Sequence, residues 1–179
     1  MSLFTLLSAR RSVRDYTSEP VSREDLQKIA DAGLLTPSSK NLHSTQLLVL
    51  DDPETVHQLA ACKPHFGDML KKAPAAIVVL GELSSHAWVE DASITLTAML
   101  LQAAELGLGA CWVQVRHMVS MTVGEDGKPL TSDQYIRQLL HIPDGVEVEA
   151  ILALGHPTKE HRPRTLEEMK PERVHWGKW

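Results

Sequence analysis

Between Asp91 and Glu105 the chain carries no charged side chain, and this stretch, ASITLTAMLLQAA, constrains the fold more than any other. Its apolar spacing and the flanking WVED and ELGLG predict a helix, uncharged over roughly three and a half turns. A helix that is apolar on nearly every face has to be buried on nearly every face. One small domain seldom surrounds a helix so completely. Burial against a second subunit is therefore the natural expectation, with an intramolecular central helix as the alternative. The chain has 179 residues, which fits a single domain over 1–179 with a sizeable core.

The flanking segments read as mixed helices and strands. Residues 3–8 form a short helix, and a second begins at Ser22, an N-cap with Asp25 at N3, and is ended by Gly33 and Pro37. TQLLVLDD is a strand, a helix runs from Pro53 to about Cys62, and KPHFGDMLKKA holds another short one. APAAIVVLGE, bounded by proline and glycine, is a buried strand. After Gly107 come the strand ACWVQV, a helix in TSDQYIRQLLHIP capped by Thr131 or Ser132, and the strand VEVEAILALG. The tail from His156 is polar and proline-rich, either disordered or laid across something, and its two tryptophans favour the second. Helices and strands do not alternate strictly, so the class is α+β.

A net charge of −5 leaves no broad basic field, which argues against nucleic acid and acidic membranes as partners. Two distant cysteines, Cys62 and Cys111, fit a reducing compartment, and the N-terminus lacks the pattern of a signal peptide or membrane span, so the cytoplasm is the expected location. GLGACW lacks a third glycine and follows a helix instead of preceding one. It is therefore a C-cap and a close backbone approach, with no dinucleotide cradle. The nine histidines make no HExxH pattern, no GxSxG supports a nucleophile, and neither a metal nor a catalytic side chain is assigned.

Positive charge is nonetheless concentrated in ARRSVRDY, at Arg10, Arg11 and Arg14, and again at Arg162 and Arg164. A helix C-terminus accounts comfortably for one cation there and poorly for three. Guanidinium forks suit phosphate. Taken alone, these residues leave open a solvated helix end or an anion site.

RRSVRDY followed by PVSREDLQKIADAGLLTPSSKNLH, then AELGLGACW, then LALGHP and RPR, resembles the nitroreductase family of FMN-dependent oxidoreductases, with the landmarks in the family's order over essentially the whole chain. The resemblance implies a central, mainly antiparallel sheet wrapped by helices, in an intertwined homodimer that exchanges C-terminal tails. It implies FMN at the dimer interface, NADH or NADPH as electron donor, and a small-molecule acceptor such as a nitro compound or quinone. Relatives that dehalogenate, dehydrogenate or fragment flavin, or that bind flavin without turnover, are the alternatives. By position, Arg10 and Ser12 bind the phosphate or ribityl chain, Arg162 and Arg164 close it from the tail, and Arg11 contributes through its backbone. Arg14 approaches the pyrimidine edge, where reduction leaves negative charge that a fixed cation stabilises. Pro37, Ser38, Ser39 and Asn41 match the loop that the partner places against the ring. Trp112, Val113 and Gln114 lie where backbone amides approach flavin N5 and O4, and Gly155 marks the turn into the phosphate segment.

Two departures from the family pattern stand out. The usual Gln-Pro-Trp is His43-Ser44-Thr45, which makes His43 the candidate replacement for the Gln contact. The glycines after the CW pair are replaced by Gln114 and Val115. Few aromatics are present, so an acceptor pocket would be open or built from Trp88, Trp112 and the tail tryptophans.

Overall fold

The computed structural model describes residues 2–65 and 67–179; Phe66, inside the short helix expected at KPHFGDMLKKA, lies outside the described residues. Four strands form one antiparallel sheet in the order β1 (Thr45–Leu50), β2 (Ala75–Glu82), β6 (Val146–Gly155), β3 (Gly109–Gln114). The two central strands are the two longest apolar runs, because each is covered on both faces. Ala76, Val78 and Leu80 join Val148, Ile151 and Ala153 on one face, while Ala75, Ile77 and Val79 join Ala150, Leu152 and Leu154 on the other. In β2 this is the strict period of two. In β6 it reverses at Glu149. Val79 pairs with Ala150 and Leu80 with Val148, so Glu149 is an extra residue, a bulge that switches the faces of the strand.

One face carries α2 (Arg23–Leu34) and α4 (Trp88–Glu105); the other carries α3 (Pro53–Gln58), α5 (Ser132–Leu140) and two 3-10 turns at Leu59–Cys62 and Asp68–Lys71. A capping box at Thr131 and Gln134 starts α5. Gly33 does not end α2, as its identity suggested; the helix passes through it to a cap at Leu35. A Cβ at Gly33 would stand 2.9 Å from Met99 Cγ and 3.0 Å from Thr95 Cγ2, so the glycine is there to let α2 and α4 approach.

The uncharged helix behaves differently on its two sides. Ala92, Thr95, Leu96, Met99 and Ala103 of α4 are buried against α2 and the sheet. Ile94 is 45% exposed and, with Thr97, Ala98 and Leu101, lines an open apolar hollow. Within one chain, then, α4 is buried on one face only, and its other face is apolar with nothing over it.

One element fell outside the sequence reading. The segment after β3 forms a hairpin of β4 (Val119–Val123) and β5 (Pro129–Thr131), whose Val119, Met121 and Val123 face outward. The tail from Thr158 onward is exposed, with two 3-10 turns at Leu166–Met169 and Pro171–Arg173, and is tied back to α1 (Leu3–Ala9) by Arg164 N–H donating to Ser8 O at 2.9 Å. No helix among the described residues is long and apolar enough to cross a membrane.

Candidate active site

The segment after α1 lies along the outer edge of β3. Ser12 bridges Ala110 in parallel, Val13 N–H donates to Ala110 O at 3.0 Å, and Tyr16 bridges Pro157. Val13 and Tyr16 are each 6% exposed, whereas Ser12, Arg14 and Asp15 are exposed. Glycine is required at Gly109 for this to happen, since a Cβ there would meet Val13 Cγ1 at 2.7 Å. Gly107, at φ +76°, closes α4. Both glycines of GLGACW thus act as the sequence suggested.

At one end of the segment a cavity of about 240 Å³ is lined by Arg10, Arg11, Gly109, Lys159, Glu160 and His161. Burial, and then the charges of Arg164 and Arg11, lower the Arg10 pKa below its ordinary value. The charges of Arg164 and Arg11 reach Arg10 here, a positive field that a bound anion would relieve. Arg162 is differently engaged. Its guanidinium forks onto Glu168 at 2.9 and 3.0 Å, which holds that carboxyl down at about 2, and its carbonyl accepts from Arg11 Nη1 at 3.5 Å. Of the expected phosphate residues, Arg10, Arg11 and Arg164 come together, and Arg162 faces its own tail.

Arg14 belongs to a different cavity, of about 390 Å³, with Pro64, His65, Asp68, Met69 and Lys72. Its Nη1 donates to Ser12 O at 3.2 Å. His65, Asp68 and Lys72 were missed in the sequence. The sign that could have found them is the polar run KPHFGDMLKK set directly before the most apolar strand. Lys72 is held by Asp15 at 2.7 Å, which lowers the Asp15 carboxyl and raises the Lys72 amine.

Beyond the bridge of Ser12 to Ala110 runs the open edge of β3. Because Ala110 faces Val13, strand alternation turns the backbone groups of Trp112 and Gln114 outward as well and those of Val113 inward to β6. Lys63 Nζ donates to Gln114 O at 2.9 Å. Trp112 Nε1 donates to the Gln114 side chain at 2.8 Å, and Gln114 Nε2 donates to the bulge carbonyl of Glu149 at 3.4 Å. Gly155 ends β6 under Tyr16 and Pro74, whose side chains would stand 2.9 and 2.7 Å from an added Cβ.

The loop expected to face a partner's flavin stands apart. Ser38 and His43 line a third cavity, of about 220 Å³, that shares no residue with the arginine cavities. Lys40, Asn41 and His43 all have positive φ, at 51°, 57° and 49°, a conformation costing about 1–2 kcal/mol for a residue such as Lys or His. His43 N–H donates to Ser38 Oγ at 2.8 Å, and its ring Nε2 lies 3.0 Å from Asn41 Oδ1. Pro37 is exposed ahead of it, and Ser39 is half-buried. Within one chain the arginine segment and this loop do not form one site.

Residues 7–82 and 55–156 match the sequence profile of the Nitroreductase family. The chain belongs to the nitroreductase family. An NADH dehydrogenase/NAD(P)H nitroreductase of Methanothermobacter thermautotrophicus is 32% identical over 183 residues, which cover all of this chain and 88% of that one. An FMN-dependent nitroreductase of Clostridium difficile is 36% identical with a TM-score of 0.91, covering 99% of this chain and all of that one. A nitroreductase of Desulfovibrio desulfuricans solved in complex with FMN is 27% identical with a TM-score of 0.72, covering 98% of each chain. The antiparallel sheet between helical layers is the nitroreductase-like fold.

Proposed function

We propose that this nitroreductase-family protein is an FMN-dependent oxidoreductase. It would work as a homodimer and pass hydride from NADH or NADPH to nitro compounds, quinones or similar acceptors by a ping-pong mechanism. The observation that carries the reading is the layout of one short segment along one strand edge. Arg10 and Arg11 stand at its one end with Arg164 close by, Arg14 stands at the other, and Ser12 between them bridges Ala110, from which the outward backbone groups of Trp112 and Gln114 continue along the strand. Four extended residues from Arg10 to Arg14 reach about 13 Å, so two cation sites are set well apart.

FMN fits these residues. The cavity at Arg10 is lined by Arg11, Lys159 and His161 with Glu160 as the acid among them, a predominantly basic lining that suits a phosphate dianion. Outward N–H groups on β3 suit a polar ring edge. Bound there, FMN would supply the redox chemistry between a nicotinamide hydride donor and an electron acceptor. The chain's own residues bind, orient and set charge. Arg10 and Arg164 hold the phosphate end, Arg14 supplies a fixed cation at the redox end, and the Trp112–Gln114–Glu149 chain of hydrogen bonds keeps the strand edge in place.

Support for the dimer lies in what one chain leaves uncovered. The outer face of α4 is apolar, Leu3, Phe4 and Leu7 of α1 are exposed, and the tail carries Leu166, Met169, Val174, Trp176 and Trp179 into solvent. Surfaces of this kind call for a partner. A second copy would cover α4, receive the tail, and bring the loop at Ser38–His43 to the other chain's arginines.

The test is spectroscopic. The purified protein should be yellow or become so with FMN, and anaerobic NADH or NADPH should bleach the flavin band, which an acceptor then restores. A colourless protein that FMN cannot reconstitute overturns the cofactor assignment. A flavin that neither nucleotide bleaches overturns the donor.

A further inference from the structure

Two carboxylates are buried among the described residues, Glu149 at the bulge and Asp91 in the first turn of α4, the latter 3% exposed. Asp91 does not belong to either arginine cavity. Its two oxygens are both directed to the loop that precedes β1: Oδ1 accepts from Ser39 N–H at 2.8 Å, and Oδ2 accepts from Ser44 Oγ at 3.4 Å. The carboxylate therefore grips the loop at both ends.

The residues between those grips are the ones with unfavourable backbone. Lys40, Asn41 and His43 sit at positive φ, a region uncommon for any residue but glycine and least natural of the three for Lys40. Bonds inside the loop, Asn41 N–H to Ser38 O and Leu42 N–H to Ser39 O, shape the turn but do not attach it to anything. At its end the loop is also tied by Glu82 N–H donating to Ser44 O at 3.0 Å. At Ser39 the backbone attachment to the rest of the fold is Asp91. A strained conformation persists only where its surroundings over-determine it, and here a buried acid does so.

Asp91 sits in the first turn of an 18-residue helix whose N-cap, Ala87, contributes no side-chain bond. The same helix presents the uncovered apolar face, so loop shape and subunit packing share one rigid element.

We propose that Asp91 is a positioning residue that holds the 38–44 loop in the shape one protomer presents to the flavin of the other. The inference rests on the flavin and homodimer reading above. It assigns the residue no contact with the cofactor; Asp91 acts through Ser38, Ser39, Asn41 and His43.

The experiment is complementation between chains. Asp91→Ala should weaken FMN binding about tenfold or more, because Ser39 N–H and the Ser44 hydroxyl lose their partner. Asp91→Asn, which keeps an oxygen for Ser39 N–H and an amide for Ser44 Oγ, should recover most of that loss. Arg10→Ala should weaken binding from the other side. In a doubly tagged mixed dimer of an Asp91→Ala chain and an Arg10→Ala chain, one site collects both defects and the other collects none. One FMN per mixed dimer should then bind with wild-type affinity. If Asp91 served its own chain's site, or only general stability, both sites would remain weak, and that result overturns the inference. Should Asp91→Ala fail to fold, Ser39→Pro removes the same N–H from the loop side and must show the same loss and the same rescue. A wild-type protein that takes up no FMN overturns the functional reading together with the inference. Wild-type binding matched by Asp91→Ala overturns the inference alone.

Discussion

Replacing Gly109 by Ala would place a methyl 2.7 Å from Val13 Cγ1 and 2.9 Å from Val13 Cβ, where carbon atoms prefer about 3.5–4.0 Å. The overlap of roughly 1 Å has few ways out. Val13 is β-branched and 6% exposed, so its rotamer is fixed, and its backbone N–H is bonded to Ala110 O at 3.0 Å. The segment has to move off the strand, at a cost of about 1–3 kcal/mol. For a chain of this length each kcal/mol lowers Tm by about 2–4 °C. Because Arg10 and Arg14 flank Val13, FMN affinity should fall with stability. Thermal unfolding at fixed protein and cofactor concentration, with a parallel FMN titration, measures both. The decisive arm is a double-mutant cycle. In a Val13→Ala background the two methyls are gone and only Cβ, at 2.9 Å, still stands in the way, so Gly109→Ala should cost clearly less than in wild type, a coupling of about 0.5–2 kcal/mol. Gly107→Ala is the control: nothing stands within 4 Å, but φ is +76°, so its cost comes from the backbone and ignores Val13. An equal cost of Gly109→Ala in both backgrounds would refute the steric argument.

Three further outcomes are expected. Arg14→Ala should weaken reduced FMN more than oxidised FMN and lower the bound flavin's reduction potential; an unchanged potential in spectroelectrochemical titration removes the charge argument. Burial pushes the Glu149 carboxyl above its ordinary value, against the pull of Gln114, Arg116 and His117. A raised acid binds its proton more tightly when folded, so wild-type stability should decline as pH rises from the ordinary Glu range through the raised value. Glu149→Gln should lack that decline, and parallel unfolding curves for the two proteins across the window would contradict it. Arg137 donates to Ile142 O at 3.3 Å, to Pro143 O at 2.6 Å and to Val146 O, besides pairing with Asp133 at 3.4 Å. Arg137→Ala should therefore cost about 2–4 kcal/mol in urea unfolding, with Lys recovering only part because it cannot fork.

Much of the scaffold was legible because it is written in local periodicity. The apolar runs at 75–82 and 146–155 are strands, the cap at Ser22 starts a helix, and the uncharged stretch after Asp91 is helical, each where the pattern placed it. Those patterns need only the twist of a strand or the turn of a helix to be read. The hairpin at 119–131 was not legible, since its short strands pair with each other and its apolar positions face solvent. Gly33 was read as a stop for want of a partner to explain it. Its reason, Met99 and Thr95 in α4, lies more than sixty residues away.

The chemistry divides in the same manner. The ordered motifs from RRSVRDY to RPR name a family, while the clustered charge by itself leaves a solvated helix end and an anion site both open. Which arginine does what depends on neighbours far along the chain. Arg164 joins Arg10, while Arg162 turns to Glu168. His65 and Lys72 reach Arg14 across roughly fifty residues of chain, a distance over which no periodicity speaks. Asp91 was first noticed as the last charge before an uncharged helix, and only packing shows that it closes on Ser39 and Ser44. The sequence by itself determined the elements, their order and the family, because backbone preference and apolar spacing act over a few residues. Tertiary structure decided which polar groups meet, because a buried donor or acceptor takes its partner from whatever segment the fold brings within about 3 Å.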